Sequence, residues 1–330
     1  MKYAFLTTAA ACALLAASSI ANAANLKISH VRPQGAQVDI DINAFADKVK
    51  ETTGGDVSLR IFPASALGDY TTVQEKISLG AVDMAIQPAA AGADRRAQIS
   101  YFPYLAQDYK TAQKLYGKGG AVRSALEEIY AKQDITVLAA YPVYFGGISL
   151  NTAPVDPGNA DAAKGIKVRV PGVKSFQMLA DSLGYIGSPI PFSEAFTAVQ
   201  TGVVDGVIGS GAEGYYASFR DVTKTFIRAN THFEVWYLII NTETYNGLDE
   251  EDKAAMVSAA EEFETARWAA AEEDQVKNEN KLAENGAKIV ILSDDELAAA
   301  AAKVRAEVWP EVVGDLGAEW AEPILKAASQ

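Results

Sequence analysis

The strongest constraint on the fold of this 330-residue chain is a repeated alternation of strand and helix patterns. Apolar residues follow strand spacing at 26–30, 57–61 and 82–86, and they follow helical spacing at 38–49 and 70–79. The order βαβαβ places helices on both faces of a sheet whose strands run largely parallel. The first part of the chain therefore predicts an α/β domain.

A second α/β unit begins near Ile148. Strand patterns cover 166–170 and 203–208, and Ser193 is a candidate N-cap for the helix that lies between them. The glycine pair Gly146-Gly147, just before this unit, is a plausible point for the chain to cross between domains. Two domains also agree with the length of the chain.

The C-terminal part of the chain changes in composition. Residues 249–284 are rich in Ala, Glu and Lys and predict one long helix, for which a short coiled coil is the alternative. Residues 294–308 predict a final, Ala-rich helix. A long packing helix is favoured over the coiled coil, because the stretch lacks sustained a/d pairs.

The N-terminus has the pattern of a secretory signal. Lys2 precedes an apolar stretch at 9–20, which ends in Ala21-Asn22-Ala23, so we expect cleavage after Ala23 and export to the periplasm. A membrane anchor is the alternative, although the stretch is short for a span. Cys12, the only cysteine, would leave with the signal, so disulfides, thiolate metal sites and a cysteine nucleophile are not expected.

The net charge of −13 argues against nucleic acid as a partner, because phosphate contacts need an excess of Lys and Arg. An anionic ligand would have to be attracted by a local positive site rather than by the overall field. Arg169 meets this requirement, since it stands at the end of a predicted strand and its guanidinium can hold a carboxylate bidentately. A surface salt bridge is the alternative interpretation of this arginine.

Motifs of catalysis are not found. His30 and His232 do not form an HExxH pattern, and Gly117-Lys118-Gly119-Gly120 lacks the spacing of a phosphate-binding loop. Gly209-Ser210-Gly211 lacks the GxSxG frame of a nucleophile elbow. The sequence thus favours a binding protein over an enzyme, and it predicts no cofactor and no metal site.

Five segments resemble those of one family. Residues 163–171 read AKGIKVRVP, and residues 191–206 read PFSEAFTAVQTGVVDG, close to the family segment PFSEVYTALQTGVVDG. Residues 62–68, 80–84 and 219–224 are similar to its YPxxQLG, GxxDM and FYEVQK segments. In this combination and order, the sequence resembles the DctP family of substrate-binding proteins, which serve tripartite ATP-independent periplasmic (TRAP) transporters.

The resemblance implies a two-domain periplasmic binding protein of the Venus-flytrap type, with hinge strands and a long domain-spanning helix. Domain I would comprise 24–144 with 235–275, and domain II would comprise 145–234 with 276–330. The ligand would lie between them. It would be delivered to a small and a large membrane subunit, with uptake driven by a sodium gradient rather than by ATP.

The resemblance also implies site residues. Arg169 matches the arginine that pairs with the substrate carboxylate, and Phe192 matches an aromatic residue that walls the pocket. Gly209, followed by Ser210, stands where the family often has Asn, which leaves space or a close backbone approach. A second arginine of some members corresponds to Gly146 or Gly147, which argues against ligands that need two arginine clamps. The further candidates for ligand contact are His30, Tyr70, Gln87, Tyr144, Glu213, Tyr215 and Trp236.

Among these candidates, Glu213 would bind an amine or hydroxyls if it faces the pocket, and otherwise it would be a solvated helix acid. A monocarboxylate, either a hydroxy acid or a keto acid, best matches a single arginine. A small sulfonate or a zwitterion stays open as an alternative ligand. A binding protein of an ATP-driven importer, a ligand-sensing binding protein and a secreted hydrolase stay open as alternative functions.

Overall fold

The computed structural model describes residues 23–328, and the predicted leader falls outside this range except for Ala23. The strands are β1 (Ala24–Ser29), β2 (Val57–Phe62), β3 (Met84–Gln87), β4 (Ile135–Phe145), β5 (Gly147–Leu150), β6 (Lys167–Val170), β7 (Ile186–Pro189), β8 (Gly206–Ser210), β9 (Thr225–Arg228), β10 (Phe233–Asn241) and β11 (Lys288–Ile291). The α-helices are α1 (Gln37–Thr52), α2 (Tyr70–Ser78), α3 (Tyr109–Tyr116), α4 (Ala121–Ala131), α5 (Lys174–Ser182), α6 (Phe192–Gln200), α7 (Ala212–Phe219), α8 (Thr242–Asn246), α9 (Glu250–Glu284), α10 (Asp294–Glu307), α11 (Trp309–Leu316) and α12 (Ala318–Ala328). A 3-10 helix covers Arg95–Tyr101.

The strands form two sheets, and the α/β class is confirmed. The first sheet has the order β2-β1-β3-β10-β4, in which β1 pairs in parallel with β2 and β3 while β10 is antiparallel to β3 and β4. The second sheet has the order β11-β9-β5-β8-β6-β7. Here β6 runs parallel to both of its neighbours, and β5 runs antiparallel to both of its own. Both sheets are therefore mixed rather than wholly parallel.

The amphipathic pattern of α1 explains how the first sheet is covered. Val38, Ile42, Phe45 and Val49 are almost fully buried, as their helical spacing predicts. They share one hydrophobic cluster with residues of β1, β3 and β10. This packing holds the carboxyl end of β1 in place, and the loop that follows β1 leads to the candidate site.

The chain passes from the first sheet to the second at Gly146, between β4 and β5, where the sequence predicts a crossing. It returns between β9 and β10, and the two crossing segments are hydrogen bonded: Gly146 N–H donates to the His232 carbonyl at 2.8 Å and Thr231 N–H donates to the Gly146 carbonyl at 2.9 Å. A Cβ atom at Gly146 would lie 2.2 Å from Cε1 of His232, so only glycine lets the segments approach this closely.

The long helix α9 begins and ends within one residue of the prediction. It contacts β4 and α1 beside the first sheet, and it contacts α7 beside the second. Its length thus lets it pack against both halves of the molecule, as expected of a domain-spanning helix. In the described part of the chain, no helix combines the length and the apolar character needed to cross a bilayer.

Three local predictions are wrong. Ser193 is not an N-cap, because α6 begins at Phe192 after Pro191, and the Ser193 N–H instead donates to Oδ2 of Asp69 at 3.3 Å. The strand predicted at 203–208 is β8, shifted toward the C-terminus because Val203 lies in the preceding turn and is half exposed. The helix predicted at 294–308 is followed by α11 and α12, so it is not the last helix.

Candidate functional site

A cleft lies between the two sheets, and its empty space, including the part open to solvent, is about 430 Å³. We refer to this cleft as the cavity. It is bordered by residues that follow β1, β3 and β6, which agrees with the tendency of ligands to bind at the carboxyl ends of strands in α/β proteins. The first sheet and its helices contribute Val31, Arg32, Tyr70, Pro88, Tyr101, Tyr144, Glu234 and Trp236. The second sheet and its helices contribute Arg169, Pro171, Phe176, Phe192 and Gly209.

Arg169 projects from β6, the strand between β7 and β8, and it is 1% exposed. Its Nε donates a hydrogen bond of 2.8 Å to the carbonyl of Ile190. Within residues 23–328, no carboxylate oxygen lies within salt-bridge distance of its guanidinium. Burial lowers the pKa of Arg169, with only partial compensation from hydroxyl groups such as that of Tyr70. The cavity therefore contains a buried positive charge without a direct counter-ion.

Arg32, in the loop after β1, has the opposite environment. Its Nε donates to both oxygens of Glu213 at 3.1 and 2.9 Å, and its Nη2 donates to Oε2 at 2.8 Å. Burial alone would lower the pKa of Arg32, but the Glu213 carboxylate outweighs this effect and the pKa is raised. The charge of Arg32 is thus compensated by a carboxylate of the protein, whereas the charge of Arg169 is not.

Aromatic rings form the apolar wall of the cavity. Cζ of Arg32 lies 5.2 Å from the ring centre of Phe192, and Cζ of Arg169 lies 5.8 Å from the same ring. The ring of Trp236 lies 4.8 Å from Cζ of Arg32. Burial raises the pKa of Tyr70 to about 12, so its hydroxyl is a neutral hydrogen-bonding group at physiological pH. The cavity can accordingly pack a carbon frame beside a charged group.

Glu234 supplies an acidic group to the same cavity. Its Oε1 accepts a hydrogen bond of 2.8 Å from Nε1 of Trp236, and its Oε2 lies 3.1 Å from Nε2 of His232. Strand β10 holds Glu234 and Trp236 on one face because they are two residues apart. A carboxylate with further lone pairs favours ligand groups that donate hydrogen bonds.

The structure places six of the predicted contact residues on the cavity wall. They are Tyr70, Tyr144, Arg169, Phe192, Gly209 and Trp236. Gly209 has a φ of +100°, and a Cβ atom there would lie 2.6 Å from Cδ of Pro171. Of the two alternatives for this glycine, space or close backbone approach, the geometry thus matches the second.

The other five predicted residues are buried but do not line the cavity. Gln87 donates to the Tyr70 carbonyl at 2.8 Å, and Ser210 lies 3.1 Å from the Tyr144 hydroxyl. Tyr215 donates to the backbone of β5 and β8. His30 is hydrogen bonded to Asp39, as described below. Glu213 is 8% exposed and bonded to Arg32, so the alternative of a solvated acid is wrong. In this conformation these residues support the wall rather than form it.

Arg32 and Glu234 were not among the predicted site residues. Arg32 comes three residues after β1, and this position, a cation just beyond the carboxyl end of a parallel strand, is the signal that could have identified it. Glu234 gives no such signal, because β10 is buried on both faces. The expectation of a single arginine at the site is therefore incomplete.

His30 provides a test of how burial affects stability. Its Nε2 lies 3.0 Å from Oδ1 of Asp39, and burial lowers its pKa from 6.5 despite that hydrogen bond. Because the unfolded chain binds a proton more readily, the free energy of unfolding should fall as the pH decreases below 6.5. His30→Gln should reduce this loss. The loss is the difference between the free energies of unfolding measured in urea at about pH 8 and about pH 5.5. Equal differences in both proteins would contradict the prediction.

Comparisons with known proteins identify the family of the chain. The family model of bacterial extracellular solute-binding protein family 7, DctP, matches residues 28–313. The C4-dicarboxylate-binding periplasmic protein DctP of Rhodobacter capsulatus is 27% identical over 265 residues, 79% of this chain and 78% of that protein. The 2,3-diketo-L-gulonate-binding periplasmic protein YiaO of Escherichia coli (strain K12) is 27% identical over 296 residues, 88% of each chain.

A solved structure shows the same fold. The TRAP periplasmic solute-binding protein of Polaromonas sp. JS666, bound to D-erythronate, superposes with a TM-score of 0.81 at 25% identity. The match covers 92% of this chain and 98% of that chain. The resemblance seen in the sequence motifs thus extends over the whole two-sheet architecture.

Proposed function

Because the chain belongs to the DctP family, family 7 of the bacterial extracellular solute-binding proteins, we propose that its cavity binds a small monocarboxylate. The family consists of transport proteins that bind solutes outside the cytoplasm and are not enzymes. The named ligands of the relatives above, C4-dicarboxylates, 2,3-diketo-L-gulonate and D-erythronate, are all carboxylic acids. We further propose that the captured acid is delivered to the small and large membrane subunits of a TRAP transporter.

Arg169 is the observation that carries this proposal. A buried guanidinium with no counter-ion is costly, and the cost falls when an anion with matching geometry takes its place beside it. A carboxylate accepts two parallel hydrogen bonds from such a group. Arg169 can therefore hold the carboxylate, while Phe192 packs the carbon frame of the same molecule.

Glu234 favours a hydroxy acid over a keto acid. A ligand hydroxyl can donate a hydrogen bond to the Glu234 carboxylate, whereas a keto oxygen would bring two acceptors together. An ammonium group would satisfy Glu234 equally well, so a zwitterion is the second candidate ligand. A small sulfonate is the third candidate ligand.

Ligand binding between two sheets requires the site to open. We propose that 24–144 with 235–275 and 145–234 with 276–330 act as two domains that open around the crossing at Gly146. Opening would hydrate Arg169, and the ligand carboxylate would allow the domains to close again. We propose in addition that the exported chain begins at Ala24, after cleavage of the predicted signal.

A thermal-shift panel tests this function. The chain starting at Ala24 is melted with the matched pairs lactate and pyruvate, and glycerate and hydroxypyruvate, together with D-erythronate, isethionate and proline. A ligand at about a hundred times its Kd stabilises the native state by about 2.7 kcal/mol, which raises Tm by several degrees. We expect shifts with hydroxy acids and a preference for them over their keto partners of about tenfold or more in affinity.

Glu234→Gln is the matched variant, because its amide oxygen can still accept the hydrogen bond from Trp236. It should reduce the preference for the hydroxy acid toward equality while binding of carboxylates persists. A wild-type protein that is stabilised by proline alone would favour the zwitterion. Stabilisation by none of the acids would refute the proposed function.

A further inference from the structure

Two arginines border the cavity, yet they are not equivalent. Their guanidinium groups lie beside the same ring of Phe192, so one small molecule could reach both. Arg169 has no carboxylate partner among the described residues, while Nε and Nη2 of Arg32 are hydrogen bonded to Glu213. The position that a second ligand carboxylate would use is therefore already held by a carboxylate of the protein.

The surroundings of Glu213 fix this arrangement. Tyr215, on the same helix, donates hydrogen bonds of 2.9 and 2.8 Å to the carbonyls of Gly147 and Val207, which anchor α7 to the second sheet. A Cβ atom at Gly214 would lie 2.5 Å from Nη2 of Arg32, so glycine lets the guanidinium rest directly against the helix. Glu213 thus meets Arg32 at a site shaped for the pair.

The charges around the cavity lead to a specificity rule. Arg169 can compensate one ligand carboxylate, whereas Arg32 is already paired with Glu213, so the second carboxylate of a dicarboxylate would add an uncompensated negative charge. We propose that Glu213 is a specificity-determining residue: it occupies Arg32 and thereby excludes dicarboxylates from a site that accepts monocarboxylates. This inference rests on the proposed function and deepens it.

Glu213→Gln tests the inference directly, because it removes the charge and keeps a side chain of the same size. Succinate and L-malate are titrated into the wild type and the variant by calorimetry. We expect binding to the wild type to be too weak to measure and affinity in Glu213→Gln to be at least about tenfold above that limit, because the charge of Arg32 is then no longer compensated by the protein. The matched control is Glu279→Gln. Glu279 lies on α9, away from the cavity, and is 8% exposed, as is Glu213. This control variant should leave dicarboxylates unbound.

The outcomes separate the two proposals. Binding of lactate or glycerate by the wild type, together with no gain for succinate and L-malate in Glu213→Gln, overturns the role of Glu213 alone. Equal binding of dicarboxylates by the wild type and the variant overturns it as well. Failure of both proteins to bind any of these acids overturns the proposed function and, with it, the inference. If Glu213→Gln does not fold by circular dichroism, Glu213→Ala serves the same comparison.

Discussion

Arg169→Met is expected to abolish the binding of carboxylates and to make the ligand-free protein more compact than the wild type. The first effect follows because the variant loses the only cavity guanidinium that lacks a carboxylate partner among the described residues. The second follows because closing an empty cavity around Arg169 buries an uncompensated charge, which opposes closure. Methionine removes that opposition while filling similar space.

The expected loss of affinity is about 100-fold or more, since truncating one partner of a buried, hydrogen-bonded charge pair costs about 2–5 kcal/mol. Calorimetry measures the affinity, and small-angle X-ray scattering measures the radius of gyration without ligand. Lys167→Met is the matched control, because Lys167 is exposed on the same strand and its removal changes the charge equally. Unchanged affinity in Arg169→Met, or a ligand-free variant as extended as the wild type, would count against the account.

Arg32→Met should also weaken binding strongly, for a different reason. In the closed protein it leaves the Glu213 carboxylate buried, unpaired and close to the bound anion. Breaking a buried ion pair from one side costs about 3–5 kcal/mol, whereas replacing both partners by apolar residues is often neutral. We therefore expect a loss of roughly 100-fold or more in Arg32→Met and recovery of most of it in Arg32→Met with Glu213→Met.

A double-mutant cycle on ligand affinity measures this coupling. The single variants Arg32→Met and Glu213→Met and the double variant are compared with the wild type using the best acid of the thermal-shift panel. If the two single effects on affinity simply add in the double variant, the ion pair between Arg32 and Glu213 does not contribute to ligand binding.

The sequence predicted well what depends on local patterns. The apolar spacing of Val38, Ile42, Phe45 and Val49 identifies a helix because its period is set within a few turns. The bounds of α9 follow from local composition in the same way. Arg169 was identifiable because it stands on a strand with a distinctive flanking motif.

Contacts between distant parts of the chain were not predictable. Arg32 and Glu213 are 181 residues apart, and nothing near either residue indicates the other. Ser193 has the propensity of a cap, but its N–H faces Asp69 across the cleft, and helix α6 starts earlier. Both of these contacts arise only when the two sheets come together.

A retention assay identifies the molecules that depend on Arg169 for binding. The wild type and Arg169→Met, both starting at Ala24, are incubated with one pool of hydroxy acids, keto acids, neutral sugars and amines. They are freed of unbound solute by gel filtration and denatured, and the released compounds are identified by mass spectrometry. We expect a monocarboxylate to be released from the wild type and none from Arg169→Met. Equal release from both proteins, or release of a neutral compound alone, would contradict it.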